Sequence, residues 1–399
     1  MDWVGREPSV GVFSPDLIAA RSVALADAAR RLLRGTAAIA LGLAWSAGAG
    51  AADLQWSADG ITPGGGGTAN WNTAAPARWY NGVTFQTWNN AALDTAVFGG
   101  VAGAVTINAP VTAQNLTFNT SGYTVTRTGS NTLTLAGANP TIDVAGGTAT
   151  VSTVIAGTAG LTKAGAGALT LSGANTYTGG TTISGGTLAV SADANLGNAS
   201  GGLTLAGGTL QYNTGFSSAR AVTLNGGGGT FNTNGLNATL SGTIAGANAL
   251  TKTGGGTLTL SAANTYTGFT TISAGTLQIG SGATGSIVGD IVNNSALVFN
   301  RTGTLTYGGA ISGAGTVTKS GTGTLTLTGA NTYSGATTIS SSGGTLQAGA
   351  TNAFSANSAH TLNTSAVLDL GGFSQTIGSL AGSAGTVTNS GVAAATLTT

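Results

Sequence analysis

Four aspartates and one histidine are the residues through which this chain could carry out chemistry. Asp143, Asp193, Asp290 and Asp369 stand 50, 97 and 79 residues apart, and the chain's one glutamate is Glu7. Cleavage of a sugar chain needs two carboxylates, or a carboxylate with Arg or Lys, brought to one face. His360 is the sole histidine. It sits in Ser358-Ala359-His360-Thr361, away from any Gly-x-Ser-x-Gly elbow placed before a helix, and reads as a solvated side chain near a loop. The glycine run 226–229 lacks the helix and lysine that cradle a phosphate. Calcium-binding nonapeptides are missing, and the absence of cysteine removes thiolate metal sites and disulfides. The sequence nominates no catalytic residue, no cofactor-binding residue and no metal ligand, and a non-enzymatic protein is expected.

Composition points to architecture instead. Of 399 residues 69 are glycine, 41% are hydrophobic and 6% charged, which is neither the low hydrophobicity nor the high charge of a disordered chain. From Asp53 onward seven bases face seven acids, so the clustered Lys and Arg of a nucleic-acid partner are absent. Short runs such as Val105-Thr-Ile107, Leu116-Thr-Phe118 and Leu133-Thr-Leu135 alternate apolar residues with threonine between Gly and Asn. These are strands with one buried and one wet face.

One phrase occurs three times: LTKAGAGALTLSGANTYTGGTTISGGTLAV from Leu161, LTKTGGGTLTLSAANTYTGFTTISAGTLQI from Leu250, and VTKSGTGTLTLTGANTYSGATTISSSGGTLQA from Val317. Its lysines, Lys163, Lys252 and Lys319, are separated by 89 and 67 residues, as are Tyr177, Tyr266 and Tyr333. The difference of 22 predicts a coil of about 22 residues, with the copies about four and then about three coils apart. On such a coil the aspartate separations put no obvious acidic pair on neighbouring turns. Leu169, Leu171, Ile183 and Leu188, with their counterparts Leu258, Leu260, Ile272, Leu277 and Leu325, Leu327, Ile339, Leu346, are predicted to point inward. Asn175, Asn264 and Asn331 fall at a corner, where asparagine bonds nearby backbone or accepts left-handed angles. Gly179, Gly268 and Gly335 then allow a bend. The fold expected is all-β, a right-handed parallel β-helix (solenoid) over 99–399, with repeats near 161–190, 250–279 and 317–348 and a degenerate start at 378–399.

The ends differ. Arg30, Arg31 and Arg34 precede a short apolar run and Ala49-Gly50-Ala51, the pattern of a secretory signal peptide over 1–51 with an extended n-region. The pair Arg30-Arg31 keeps the twin-arginine route in view. Residues 52–98 hold Trp56, Trp71, Trp79 and Trp88. They read as a cap over the apolar edge of the first coil, with an exposed aromatic platform for sugar rings as the other reading.

The repeated phrase resembles the autotransporter-associated β-strand repeat, also called the passenger-associated transport repeat. Positions 166–188, 255–277 and 321–346 follow its form, roughly GxGTLTLSGxNTYTGGTTIxxGTL. The resemblance implies an exported β-helical passenger of type V secretion, at the cell surface or secreted, with a structural or adhesive role. Its implied partners are the outer-membrane translocation machinery during export, then host or bacterial surface molecules or a second copy of itself. A polysaccharide-acting β-helix enzyme or a glycan-binding module is the alternative. The family carries a C-terminal β-barrel, whose repeated amphipathic strands find no room after Gly378. A fragment is expected, with the periplasm as the location if the chain ends there.

Overall fold

The computed structural model describes residues 51–399, so the predicted signal peptide, Ala51 apart, lies outside the described residues. The chain winds into a parallel β-solenoid of about 15 turns. At about 4.8 Å per turn the axis is about 70 Å long. All strand pairings are parallel except those of Trp79–Tyr80, which lies antiparallel to Asp53–Trp56 and to Phe85–Gln86. The 3-10 turn Asp193–Leu196 is the single helical element among the described residues.

Alternation makes the core. In Thr257–Leu260 the leucines are buried and the threonines half-exposed, as the two-residue period of a strand requires. Leu258 stacks between Ala238 and Leu277 of the neighbouring turns. All twelve aliphatic residues of the repeated phrase predicted to face inward are buried.

Three strands make one turn, each on its own face. Leu203–Leu205, Thr209–Tyr212 and Ser217–Ser218 form one turn, and Val222–Leu224, Gly229–Asn232 and Ala238–Leu240 the next. Face one is an 11-stranded sheet ending at Ile244–Gly246 and then a 5-stranded sheet from Leu305–Tyr307. Face two is a 12-stranded sheet ending at Ile311–Ser312 and then a 2-stranded sheet from Gln375–Thr376. Face three is a 3-stranded sheet ending at Val154–Ala156 and then a 9-stranded sheet from Ser217–Ser218. Each face is therefore interrupted once.

Those interruptions coincide with the repeated phrase. Lys163 lies on face one, Lys252 on face two and Lys319 on face three. The spacing of the copies is four turns plus one face and then three turns plus one face, not the whole coils expected. Their difference still equals one turn, because the extra face cancels. Bonds between turns at the phrases join residues 20 to 24 apart, close to the expected period.

Turns stacked this tightly leave no room for a side chain at one position of each corner. Gly179, Gly268 and Gly335 each lie at a bend, as expected, although none takes a left-handed angle. A Cβ at each would stand 2.2, 2.3 and 2.2 Å from backbone of the adjacent turn. Close approach is what excludes a side chain there.

Two adjacent glycines test this packing. A Cβ at Gly256 would meet the Leu236 carbonyl oxygen at 1.7 Å, whereas the nearest atom at Gly255 is 3.9 Å away. Gly256→Ala is expected to lower unfolding free energy by about 1–3 kcal/mol. Gly255→Ala should change it by less than about 0.5 kcal/mol. Denaturant midpoints of the two variants check the contrast.

Candidate functional site

Each phrase runs strand, turn, strand, corner, strand, turn, strand. The corner crosses the remaining face without forming a strand, which is where that face is interrupted. Backbone groups on the turn before would lose their ladder partners there, and an asparagine side chain replaces one of them. Asn175 Oδ1 accepts the Ile155 N–H at 2.8 Å, while its Nδ2 donates to the Asn195 carbonyl of the next turn at 2.6 Å. Asn264 joins Ile244 to Ser286 at 2.9 and 3.0 Å, and Asn331 joins Ile311 to Ala353 at 2.7 and 2.6 Å. All three are buried, and none adopts a left-handed angle. Of the two roles expected for asparagine here, only the hydrogen-bonding one is used.

Beside each asparagine a buried tyrosine seals the corner. Tyr177, Tyr266 and Tyr333 share a hydrogen bond of 2.7 Å with Thr181, Thr270 and Thr337. Burial pushes Tyr177 and Tyr333 up to about 12 and raises Tyr266 as well. A loop of unlike sequence then covers each corner: 191–202, 283–290 and 349–358. Asn198 N–H donates to the Tyr177 carbonyl, Asn264 N–H to that of Ser286, and Ser355 Oγ to that of Tyr333. Arg220 fixes the first loop through Asp193 Oδ1 at 3.0 Å and the carbonyls of Asp193, Gly197, Asn198 and Gly201.

The lysines hold the turns. Lys163, Lys252 and Lys319 are buried in the core, each stem stacked between apolar residues such as Phe231 and Ile272 around Lys252. Each Nζ donates to two carbonyls of its own turn and to one of the turn that follows. The acceptors are Ala164, Gly165 and Gly185 for Lys163, and Thr253, Gly254 and Ala274 for Lys252. Ser320, Gly321 and Gly343 serve Lys319. Gly165, Gly254 and Gly321 have φ of 75°, 77° and 73°, angles favoured by glycine. Burial pushes all three ammonium groups down from 10.5 to about 8. The lysines were not singled out in the sequence for a role, although parity could have found them. Lys163 lies two residues after Leu161 and so shares its inward side.

The residues considered for catalysis do not converge. Asp193 pairs with Arg220, and Asp290 Oδ1 accepts the Ala310 N–H at 2.8 Å. Asp143 is half-buried on the strand Thr141–Val144. Burial alone would raise the Asp369 carboxyl, but bonds from Ser390, Gly371 and Gln347 hold it below its ordinary value. No group of three His, Asp or Glu able to hold a metal ion occurs among the described residues.

One sequence expectation is corrected and one alternative reading is excluded. His360 is not solvated: it is buried, its Nδ1 is 3.0 Å from the Ser358 carbonyl, and its ring lies 5.8 Å from that of Phe354. Burial lowers its pKa. Its strand position, pairing with Thr337 and Leu380, turns it inward. Trp56, Trp71, Trp79 and Trp88 are likewise buried, with ring centroids 4.7 to 5.1 Å apart among themselves. They present no indole face to a sugar.

The asparagine and lysine networks yield separate tests. Asn264→Ala leaves the Ile244 N–H unpaired and removes one of the two donors to the Ser286 carbonyl, an expected loss of about 1–3 kcal/mol. Faster hydrogen exchange at Ile244 and faster proteolysis within 283–290 would register it. For the lysines, folded-state values near 8 lie below the ordinary 10.5. Between those values the unfolded chain holds more protons, so stability should rise with pH from about 8. Tyrosines raised by burial act oppositely above about 10, so the window is about pH 8 to 9.5. Denaturant titrations across it should show the rise in the parent chain and none in a triple Lys→Met variant. A fall would mean that the carbonyls outweigh burial.

The passenger-associated-transport-repeat family matches residues 161–190, 250–279 and 317–348. The chain is also 43% identical over 243 residues to the adhesin BmaC autotransporter of Brucella suis biovar 1 (strain 1330). That match covers 57% of this chain and 6% of the relative, so the chain spans a small part of the relative's length. No solved structure matches. The chain thus carries three passenger-associated transport repeats in one parallel solenoid and is similar to part of an autotransporter adhesin.

Proposed function

We propose that the chain is an exported, non-enzymatic, adhesive passenger segment whose rod displays variable loops. The observation that carries this reading is that three unlike loops dock on three nearly identical corners, one on each face. An adhesin is among the proteins it is similar to, which supports the same role. Phe269 and Val288, near the second corner, are 59% and 57% exposed, the kind of apolar surface that contact with another molecule would cover. In this reading 1–51 direct export, 52–98 cap the rod, and 378–399 begin a further degenerate repeat. The outer-membrane translocation machinery is the partner during export. Afterwards the partners are host or bacterial surface molecules, or a second copy of the chain, and nucleic acid is not among them.

Surface display of 52–399 on a non-adherent bacterium tests the proposal. Displaying cells should bind host cells or clump severalfold more than cells whose loops 191–202, 283–290 and 349–358 are replaced by Gly/Ser segments of equal length. Equal behaviour of the two strains would overturn it.

A further inference from the structure

Face three carries a groove that the adhesive reading does not use. It has a volume of about 410 Å³ and is open to solvent at the start of the 9-stranded sheet. Its floor is one outward column on four consecutive turns: Ser217, Thr239, Thr259 and Gln278 pair in that order. Asn237 lines the side, its Oδ1 accepting the Thr257 N–H at 2.9 Å, which leaves its Nδ2 as a donor. Gln278 Nε2 is likewise fixed on the Gly280 carbonyl at 2.9 Å, leaving its oxygen as an acceptor. Phe216 is half-buried at one end, 4.9 Å from the buried ring of Tyr212, and its carbonyl accepts the Thr239 N–H.

We propose that this groove binds an uncharged saccharide. No ionisable side chain lines it, so nothing there would favour an acidic sugar, a phosphate or a cationic ligand. Hydroxyls and carboxamides donate and accept together, which matches the hydroxyls of a sugar ring. A rigid aromatic edge beside that polar row offers an apolar surface to the ring's C–H face. The volume lies within the range of small-ligand sites. An extended peptide fits less well, because Ala238–Leu240 is paired on both sides and the edge strand Ser217–Ser218 has only 2 residues to offer for strand addition.

The binding itself stands apart from adhesion. Only its biological role rests on the adhesive reading, for which it would supply a ligand class. The test uses the full chain on an array of neutral and acidic oligosaccharides of both host and bacterial type, followed by calorimetry on the best neutral ligand. Neutral glycans should be retained over acidic ones. Phe216→Ala, and separately the Thr239→Val/Thr259→Val pair, should each weaken binding by about tenfold or more with circular dichroism unchanged. The valine pair keeps the shape of the strands, so a folding defect in the alanine variant would not obscure the result. Absence of neutral-glycan binding, equal binding of acidic glycans, or binding untouched in the valine pair would overturn the inference. Phe216→Ala cells that adhere like the parent, with no glycan bound by either, would remove the groove and leave the adhesive reading standing.

Discussion

A backbone N–H or carbonyl that leaves its ladder inside a dry core must find another partner, and the architecture of this solenoid follows from how that requirement is met. Strands satisfy it turn by turn along each face. Where the chain needs a protruding loop, the ladder has to stop. Asn175, Asn264 and Asn331 bridge the gap with a carboxamide that offers an acceptor to one turn and a donor to the next. The loops can then vary in sequence, because this bridge is made by the phrase's asparagine and loop backbone, with loop side chains such as Asn195 and Ser355 adding bonds of their own.

The buried lysines solve the same problem at the turns. Carbonyls of Gly254 and Ala274 point into the core, where no N–H reaches them, and the ammonium of Lys252 collects both along with that of Thr253. A charge in an apolar interior is costly, and full hydrogen-bonding is the condition under which it is tolerated. The near-identity of the phrase across three copies reflects this interdependence. Lysine, left-handed glycine, asparagine, tyrosine and threonine each satisfy a group that another residue leaves open.

Much of the fold could be read from residue patterns alone. Strict alternation in Leu-Thr-Leu runs announced which side chains face inward, and the unequal spacing of Lys163, Lys252 and Lys319 disclosed the length of a turn. The advance by one face did not appear, because subtracting two spacings removes any offset common to both. His360 was misplaced for a different reason: an isolated polar residue next to a loop carries no sign of its depth until its strand register is known. Tryptophans in 52–98 were ambiguous for the same cause, since burial and display use the same residue type. The groove on face three was invisible in the sequence, because Ser217, Thr239, Thr259 and Gln278 are neighbours only through the winding of the chain.

The advance by one face per copy has a mechanical consequence. Because the three breaks fall on three different faces at three different heights, two continuous ladders span the rod at the level of each break. Tension or bending applied along the axis would be shared by those two ladders, and no cross-section offers a hinge. Had the copies been spaced by whole turns, the breaks would have lined up along one side and given the rod a seam. For the adhesive role proposed above, such a rod would resist shear without a weak side.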